Sequence, residues 1–196
     1  MDNGTIEYYN RNASLFINET QGVSMTDIHE AFLNRIVEAG PILDLGCGSG
    51  RDSKFFLDRG YDVVSVDGSV EMCKATEALT GKTAVCATFE DYETEVKFAG
   101  IWACASLLHL DIAGLKDILC KYSLMLHSGG CFYMSFKYGD FSGERDGRFF
   151  LDMDESALSN LISGIEHLCI ESMMITSDVR PGRDNEKWLN CYCKCV

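Results

Sequence analysis

The run Asp44-Leu45-Gly46-Cys47-Gly48-Ser49-Gly50 sets a carboxylate two residues ahead of a G-x-G-x-G cluster, directly behind the apolar stretch that begins at Ile42. Glycines after a strand let the backbone come close to a ligand and open a helix whose N-terminus faces it. They also serve plain strand-to-helix geometry, so the glycines alone decide nothing. The spacing is not the G-x-G-x-x-G of a dinucleotide site, and no Lys-Ser/Thr pair follows Gly50, which removes a P-loop. The acids discriminate further. A carboxylate at Asp44 would repel a pyrophosphate and favour an ammonium. Asp67 ends a second apolar stretch, where a carboxylate can accept both hydroxyls of a ribose. A ligand with a ribose, no phosphate and a cationic end is S-adenosylmethionine.

Other groups with chemical potential lie further along. His109 follows Leu107-Leu108, and its titration range suits a general base. A histidine beside leucines can equally cap the next helix or pack, and both readings stand. Four of the eight arginines fall in the last 60 residues: Arg145 and Arg148 in FKYGDFSGERDGRFF, Arg180 and Arg183 in RPGRDNEKWL. Arginine suits bidentate recognition of an oxyanion. The interleaved Glu144, Asp146, Asp184 and Glu186 offer local pairs instead. We read a pocket for a carboxylate or similar anion, with Lys137, Tyr138 and Trp188 as further members. Cys191, Cys193 and Cys195 alternate, which puts their thiols on one face of a strand. They lack a fourth ligand and the C-x2-C spacing of a zinc site, so they are read as packing, and no metal is expected.

The elements that must position these groups follow from the apolar pattern. Helical spacing runs over Ile6 to Ile17 and Met25 to Ala39, closed by Gly40-Pro41. Strands are expected at 42–45, 61–66, 83–86, 99–105 and 131–136, with helices at 52–58, 70–79 and 112–126 between them. His127 to Gly130 reads as a turn and Lys137 to Phe150 as a loop. A helix at 154–163 and strands near 169–176 and 187–196 complete the chain. Strand–helix alternation predicts an α/β fold, a three-layer Rossmann-like sandwich on a seven-stranded, mostly parallel sheet. The last two strands leave no room for a helix between them, so the final one should be antiparallel.

Composition bounds the function. The 196 residues are 46% hydrophobic with two prolines, as expected of one globular unit without a linker. A net charge of −13 disfavours nucleic acid as the main partner. No apolar stretch reaches membrane-spanning length, and Met1-Asp2-Asn3-Gly4 opens without a secretory signal. The ten cysteines are scattered, mostly in apolar runs, which fits thiols in a reducing cytoplasm.

ILDLGCGSGRDS, VSVDGS (64–69), FAGIWACASLLHL (98–110) and HSGGCFYMSFK (127–137) together resemble the class I S-adenosylmethionine-dependent methyltransferases, nearest the small-molecule and tellurite-resistance type. The resemblance covers residues 40–137 strongly. It implies a helical cover over 1–39, a cofactor-binding core over 40–137 and substrate-side loops and last strands over 138–196. It places Asp44, Gly46, Cys47, Gly48 and Gly50 at the methionine end, Asp67 on the ribose, and Gly68 and Ser69 beside the adenine. Many relatives carry an Asp after the third strand; Thr88 stands there, which leaves adenine recognition to the backbone of Phe89 and to Glu90. Cys104 would sit near the sulfonium, as packing rather than as a nucleophile, and His109 on the substrate-facing loop. YYNRNA (8–13) resembles the cover of small-molecule enzymes, with Tyr9 over the cofactor, worth about 1 kcal/mol as a cation–π contact, and Tyr8 toward the acceptor. The implied activity is methyl transfer to a small, anionic acceptor through S, Se, Te, O or N. A protein methyltransferase, a non-catalytic cofactor-binding module and a nicotinamide-dependent oxidoreductase are the rivals.

Overall fold

The computed structural model describes residues 3–196; Met1 and Asp2, part of the stretch read as lacking a secretory signal, lie outside it. The strands β1 (Ile42–Leu45), β2 (Val63–Asp67), β3 (Ala84–Cys86), β4 (Phe98–Ala103) and β5 (Leu126–Lys137) pair in parallel. β8 (Leu168–Ser177) and β9 (Lys187–Cys195) extend the sheet to seven strands in the order β3-β2-β1-β4-β5-β9-β8. β9 is antiparallel to both of its neighbours, as the missing crossover helix requires. The expected Rossmann-like sandwich is the fold found. Strand order reverses between β1 and β4, and in open α/β sheets ligands bind outside the carboxyl ends of strands at such a point.

Local sequence explains the helices that flank this point. α4 (Arg51–Asp58) begins from Gly50, which adopts φ +81°. α5 (Val70–Thr80) is capped by Ser69, whose Oγ accepts the Met72 N–H, and stopped by Gly81 at φ +69°. α6 (Ile112–Ser123) and α7 (Glu155–Ile162) are capped by Asp111 and Asp154 in the same way. Two apolar layers form. α6 and α7 pack on one face of the sheet through Leu119, Tyr122 and Leu158. On the other, α3 (Thr26–Leu33) and α4 close over Trp102, which stacks on Tyr133 at 3.9 Å between centroids and meets Phe32 and Phe56 edge-on. A fully buried aromatic side chain of this size contributes on the order of several kcal/mol. Cys191, Cys193 and Cys195 lie in the core with the α6 side.

Four expectations change. The helix expected over Ile6 to Ile17 is two, α1 (Asn3–Arg11) and α2 (Ala13–Thr20), because Asn12 leaves helical geometry and its side-chain amide bonds the Tyr8 carbonyl. α3 stops at Leu33 rather than Ala39, where the backbone tightens into three-residue turns through Arg35 and Ile36. The expected turn at 127–130 lies inside β5 as an irregularity. The expected loop from Lys137 to Phe150 contains a hairpin, β6 (Ser142–Arg145) and β7 (Arg148–Leu151). Its turn is Asp146-Gly147, both at positive φ, which is the Asp-Gly signature of a tight hairpin.

Candidate functional site

A cavity of about 320 Å³ opens at the carboxyl ends of β1, β2, β4 and β5. Its floor is the glycine turn. Gly46 adopts φ +82°, and a Cβ there would stand 2.4 Å from the Ser106 Cβ. Gly48, at φ +53°, donates its N–H to Asp67 Oδ2 at 2.9 Å. Ser69 N–H donates to Asp67 Oδ1 at 2.8 Å. Both carboxylate oxygens are thus fixed by backbone and keep lone pairs for a ligand. Enclosure pushes the Asp67 pKa up, and the two N–H donors oppose that rise.

Six expected residues do not line the cavity. Asp44 lies beneath the turn: it is 2% exposed and Ser53 Oγ donates to its Oδ2 at 2.6 Å. Burial, then the charge of Asp52, raises its pKa. Gly50 serves helix packing, since a Cβ there would come 2.8 Å from Thr76 Cα of α5. Thr88 turns to Asp91, bonding its Oδ2 at 2.7 Å. Glu90 is exposed, and its carbonyl accepts Lys121 Nζ. Tyr8 lies outside the wall, under the Arg148 guanidinium at 4.1 Å. Tyr138 is 41% exposed, and its hydroxyl donates to Glu155. Phe89 does line the cavity, but its carbonyl accepts the Tyr122 hydroxyl at 3.0 Å. That carbonyl is therefore taken up within the fold, and Phe89 lines the cavity beside Met72 and Gly68.

The opposite end holds a residue that the motif spacing does not mark. Arg51 opens α4 and lines the cavity. It grips Asp52 through Nε at 2.7 Å and Nη2 at 2.9 Å. Asp52 also receives the Trp102 indole N–H at 2.9 Å and lies 2.8 Å from His29 Nε2. Burial alone would raise the Asp52 pKa; the Arg51 charge and the His29 bond outweigh it and hold the carboxyl far below its ordinary range. A charged side chain directly after the glycine run was the available signal. Nearby, Cys104 Sγ lies 3.7 Å from Arg51 Nη2, and burial pushes the thiol up to about 12, so it is no nucleophile. Ala105 adopts φ +50°, a costly conformation for alanine, and its N–H donates to Ser135 Oγ at 2.8 Å.

α1 and α2 roof the cavity through Ile6, Tyr9, Phe16 and Thr20. They are pinned at both sides: Ser69 Oγ donates to Asn10 Oδ1 at 2.7 Å, and Thr20 Oγ1 to Ser49 Oγ at 3.0 Å. Tyr9 lies under this roof against His109, with Oη 2.9 Å from Nε2. His109 is 4% exposed, and its Nδ1 is 2.7 Å from the Phe149 carbonyl. Burial lowers its pKa to about 4; the Phe149 carbonyl acts against this and Arg148 with it.

The far wall gathers the expected cations Lys137, Arg145, Arg148, Arg180 and Arg183, with Trp188. Most are paired locally. Lys137 meets Glu186, Arg145 forks onto Asp152, Arg180 onto Asp178, and Arg183 reaches Glu19 at 3.3 Å and Glu186 at 3.5 Å. Arg148 has no carboxylate partner among the described residues. It lies over Tyr8 and, at 5.0 Å, over Phe150, and its buried Nε has no hydrogen-bond partner.

Residues 42–130 match a family model described as a methyltransferase domain. An uncharacterized methyltransferase of Geobacillus kaustophilus is 33% identical over 92 residues, 45% of this chain and 43% of that protein, so the match spans less than half of the curated relative. Among solved structures, 1,6-didemethyltoxoflavin-N1-methyltransferase of Burkholderia thailandensis, with 1,6-didemethyltoxoflavin and S-adenosylhomocysteine bound, aligns with a TM-score of 0.75 at 18% identity, covering 98% of this chain and 85% of that one. Magnesium protoporphyrin IX methyltransferase of Synechocystis PCC 6803, with S-adenosylmethionine bound, aligns at 0.72 and 12% identity over 100% of this chain and 98% of that one. The fold is the Rossmann-like fold of these methyltransferases. No helix among the described residues is long and apolar enough to cross a membrane.

Proposed function

We propose that this chain uses S-adenosylmethionine to methylate a small, anionic acceptor, with residues 3–196 acting as one unit. The wall chemistry fits the cofactor. Asp67 offers two backbone-fixed carboxylate oxygens to a ribose, and Arg51 at the start of α4 offers a guanidinium to the methionine carboxylate. Phe89, Met72 and Gly68 give an apolar slot for the adenine. The bound cofactor would supply an already activated methyl carbon, so no enzyme nucleophile is needed. The residues then align acceptor and methyl, and such positioning can lower a barrier by on the order of several kcal/mol.

The anionic acceptor rests on one observation: Arg148 lines the cavity and has no carboxylate partner among the described residues. A guanidinium on the cavity wall that no carboxylate neutralises attracts an acceptor oxyanion and can bond it through its terminal nitrogens. The neighbouring cations already hold their own carboxylates and shape the pocket rather than charge it. His109 is the candidate base.

Calorimetric titration with S-adenosylmethionine and S-adenosylhomocysteine, with NAD and ATP as controls, tests the cofactor. Binding of the first two alone supports the reading. Binding of NAD alone returns the chain to an oxidoreductase. A cofactor-binding protein that methylates none of a panel of small carboxylates but labels protein substrates overturns the small-molecule assignment.

A further inference from the structure

A chain of donors and acceptors crosses the roof of the cavity. The Phe149 carbonyl oxygen can only accept, so the 2.7 Å contact fixes the proton of His109 on Nδ1. Nε2 is then a bare lone pair, and the Tyr9 hydroxyl donates to it at 2.9 Å. Tyr9 Oη in turn lies 3.3 Å from Arg148 Nη1, which donates to it. That leaves one lone pair on Tyr9 Oη, and Tyr9, His109 and Arg148 all line the cavity. The rings are locked: Tyr9 packs edge-on against Phe16 at 5.1 Å, and His109 against Phe150 at 4.9 Å. A histidine that only packed would not need a fixed tautomer aimed at a cavity-lining phenol.

We propose that Tyr9 and His109 form a two-step proton relay, and hence that the methylated atom is a hydroxyl oxygen or an uncharged N–H nitrogen. The inference rests on the methyl-transfer reading above. As the acceptor's heteroatom forms its bond to the methyl carbon, the donor's carbon–sulfur bond breaks and its electron pair stays on sulfur. The acceptor's proton passes to Tyr9 Oη, and the phenolic proton of Tyr9 passes to His109 Nε2. The positive charge lost by the sulfonium is then on the imidazolium, which returns its proton to water after product leaves. Arg148 is a positioning residue here: its guanidinium steadies negative charge developing on the Tyr9 oxygen.

The base strength agrees with this geometry. With its pKa lowered to about 4, first by burial, His109 is too weak to strip a free alkylammonium. It suits an atom that becomes acidic only as its new bond forms. Thiols and heavier chalcogen acceptors ionise by themselves and would make no use of such a relay.

Imidazole nitrogen NMR on the S-adenosylhomocysteine complex reads the relay without turnover. The expected spectrum shows His109 protonated at Nδ1, with the Nε2 resonance moving toward that of an unbonded nitrogen in Tyr9→Phe. An Nε2–H tautomer, or an Nε2 signal indifferent to Tyr9→Phe, overturns the relay. Single-turnover methylation of 4-hydroxybenzoate, 4-aminobenzoate and 4-mercaptobenzoate supplies the second arm. Tyr9→Phe and His109→Asn, whose amide can still donate to Phe149, are expected to slow the first two about 100-fold or more and the thiol less than about threefold. Methylation of 4-mercaptobenzoate alone, or equal slowing of all three, overturns the proposal. Loss of S-adenosylhomocysteine binding by the unmodified protein would instead sink the methyl-transfer reading itself.

Discussion

The backbone N–H of Gly48 donates to Asp67 Oδ2 at 2.9 Å, tying the turn after β1 to the acid that ends β2. Ser69 holds the other oxygen, so the carboxylate is oriented before any ligand arrives. Asp67→Ala removes charged acceptors worth about 1.5–3 kcal/mol to a ribose. We expect S-adenosylhomocysteine affinity to fall on the order of ten- to a hundred-fold by calorimetry. Unchanged affinity would remove Asp67 from the cofactor site.

Arg148 and Arg183 share a wall but not a condition. Arg148→Gln deletes a cation that has no carboxylate partner among the described residues and should raise the KM for an anionic acceptor about tenfold or more, with cofactor affinity kept. Arg183, held by Glu19 and Glu186, should matter less, with Arg183→Ala changing KM about threefold at most, in the range of exposed ion pairs. Steady-state kinetics on both variants with one carboxylate acceptor compares them. The reverse order would move the anion site to the Arg183 side.

Gly46 and Gly60 both have positive φ, yet only one is crowded. A Cβ at Gly46 would stand 2.4 Å from Ser106 Cβ, whereas at Gly60 nothing lies within 4 Å. Gly60→Ala should cost about 1–2 kcal/mol from backbone conformation alone. Gly46→Ala adds overpacking of about 1–3 kcal/mol to the same term. Urea unfolding of the two variants reads the difference, and equal losses would mean that Ser106 yields freely.

His109 makes stability depend on pH. Its folded pKa of about 4 lies below the ordinary 6.5, so the unfolded chain takes the proton first as pH falls. Above pH 6.5 both states are neutral at this position and it adds no pH dependence. Between 6.5 and 4 stability is lost, approaching about 3 kcal/mol below pH 4. His109→Gln should flatten that part of the unfolding free energy measured by urea titration from pH 7 to pH 4.5. An identical slope in variant and parent would show that burial does not disfavour the imidazolium.

Asp52 centres a buried charge cluster that the sequence did not announce. Its carboxylate serves Arg51, His29 and Trp102 together. Removing one member of a buried, bonded ion group leaves the others uncompensated, at a cost of about 3–5 kcal/mol. Asp52→Ala should therefore lower Tm by several degrees and also weaken cofactor binding, as Arg51 loses its support. A Tm loss with intact binding would make the cluster a stability element only.

The alternation of strands and helices, the antiparallel last strand, and the turn and acid at Gly46, Gly48 and Asp67 are all legible in the chain before it folds. These are local properties: apolar period, glycine at positive φ and an acid at a strand end are each written within a few residues. The chain also brings Tyr9, His109 and Arg148 forward, but as separate candidates. That they meet follows from packing alone, because Tyr9 and His109 are 100 residues apart and Arg148 reaches Tyr9 across 139. The same holds for what was misread. Asp44 and Gly50 belong to the motif by spacing, but Ser53 and Thr76 claim them. The arginines look alike in the chain, and pairing separates them: Arg145 takes Asp152 across its own hairpin, while Arg183 reaches Glu19 of α2. Burial and pairing depend on which segments pack together. A run of residues can therefore specify a turn, but it cannot say which of several like charges will be left facing a cavity without a carboxylate.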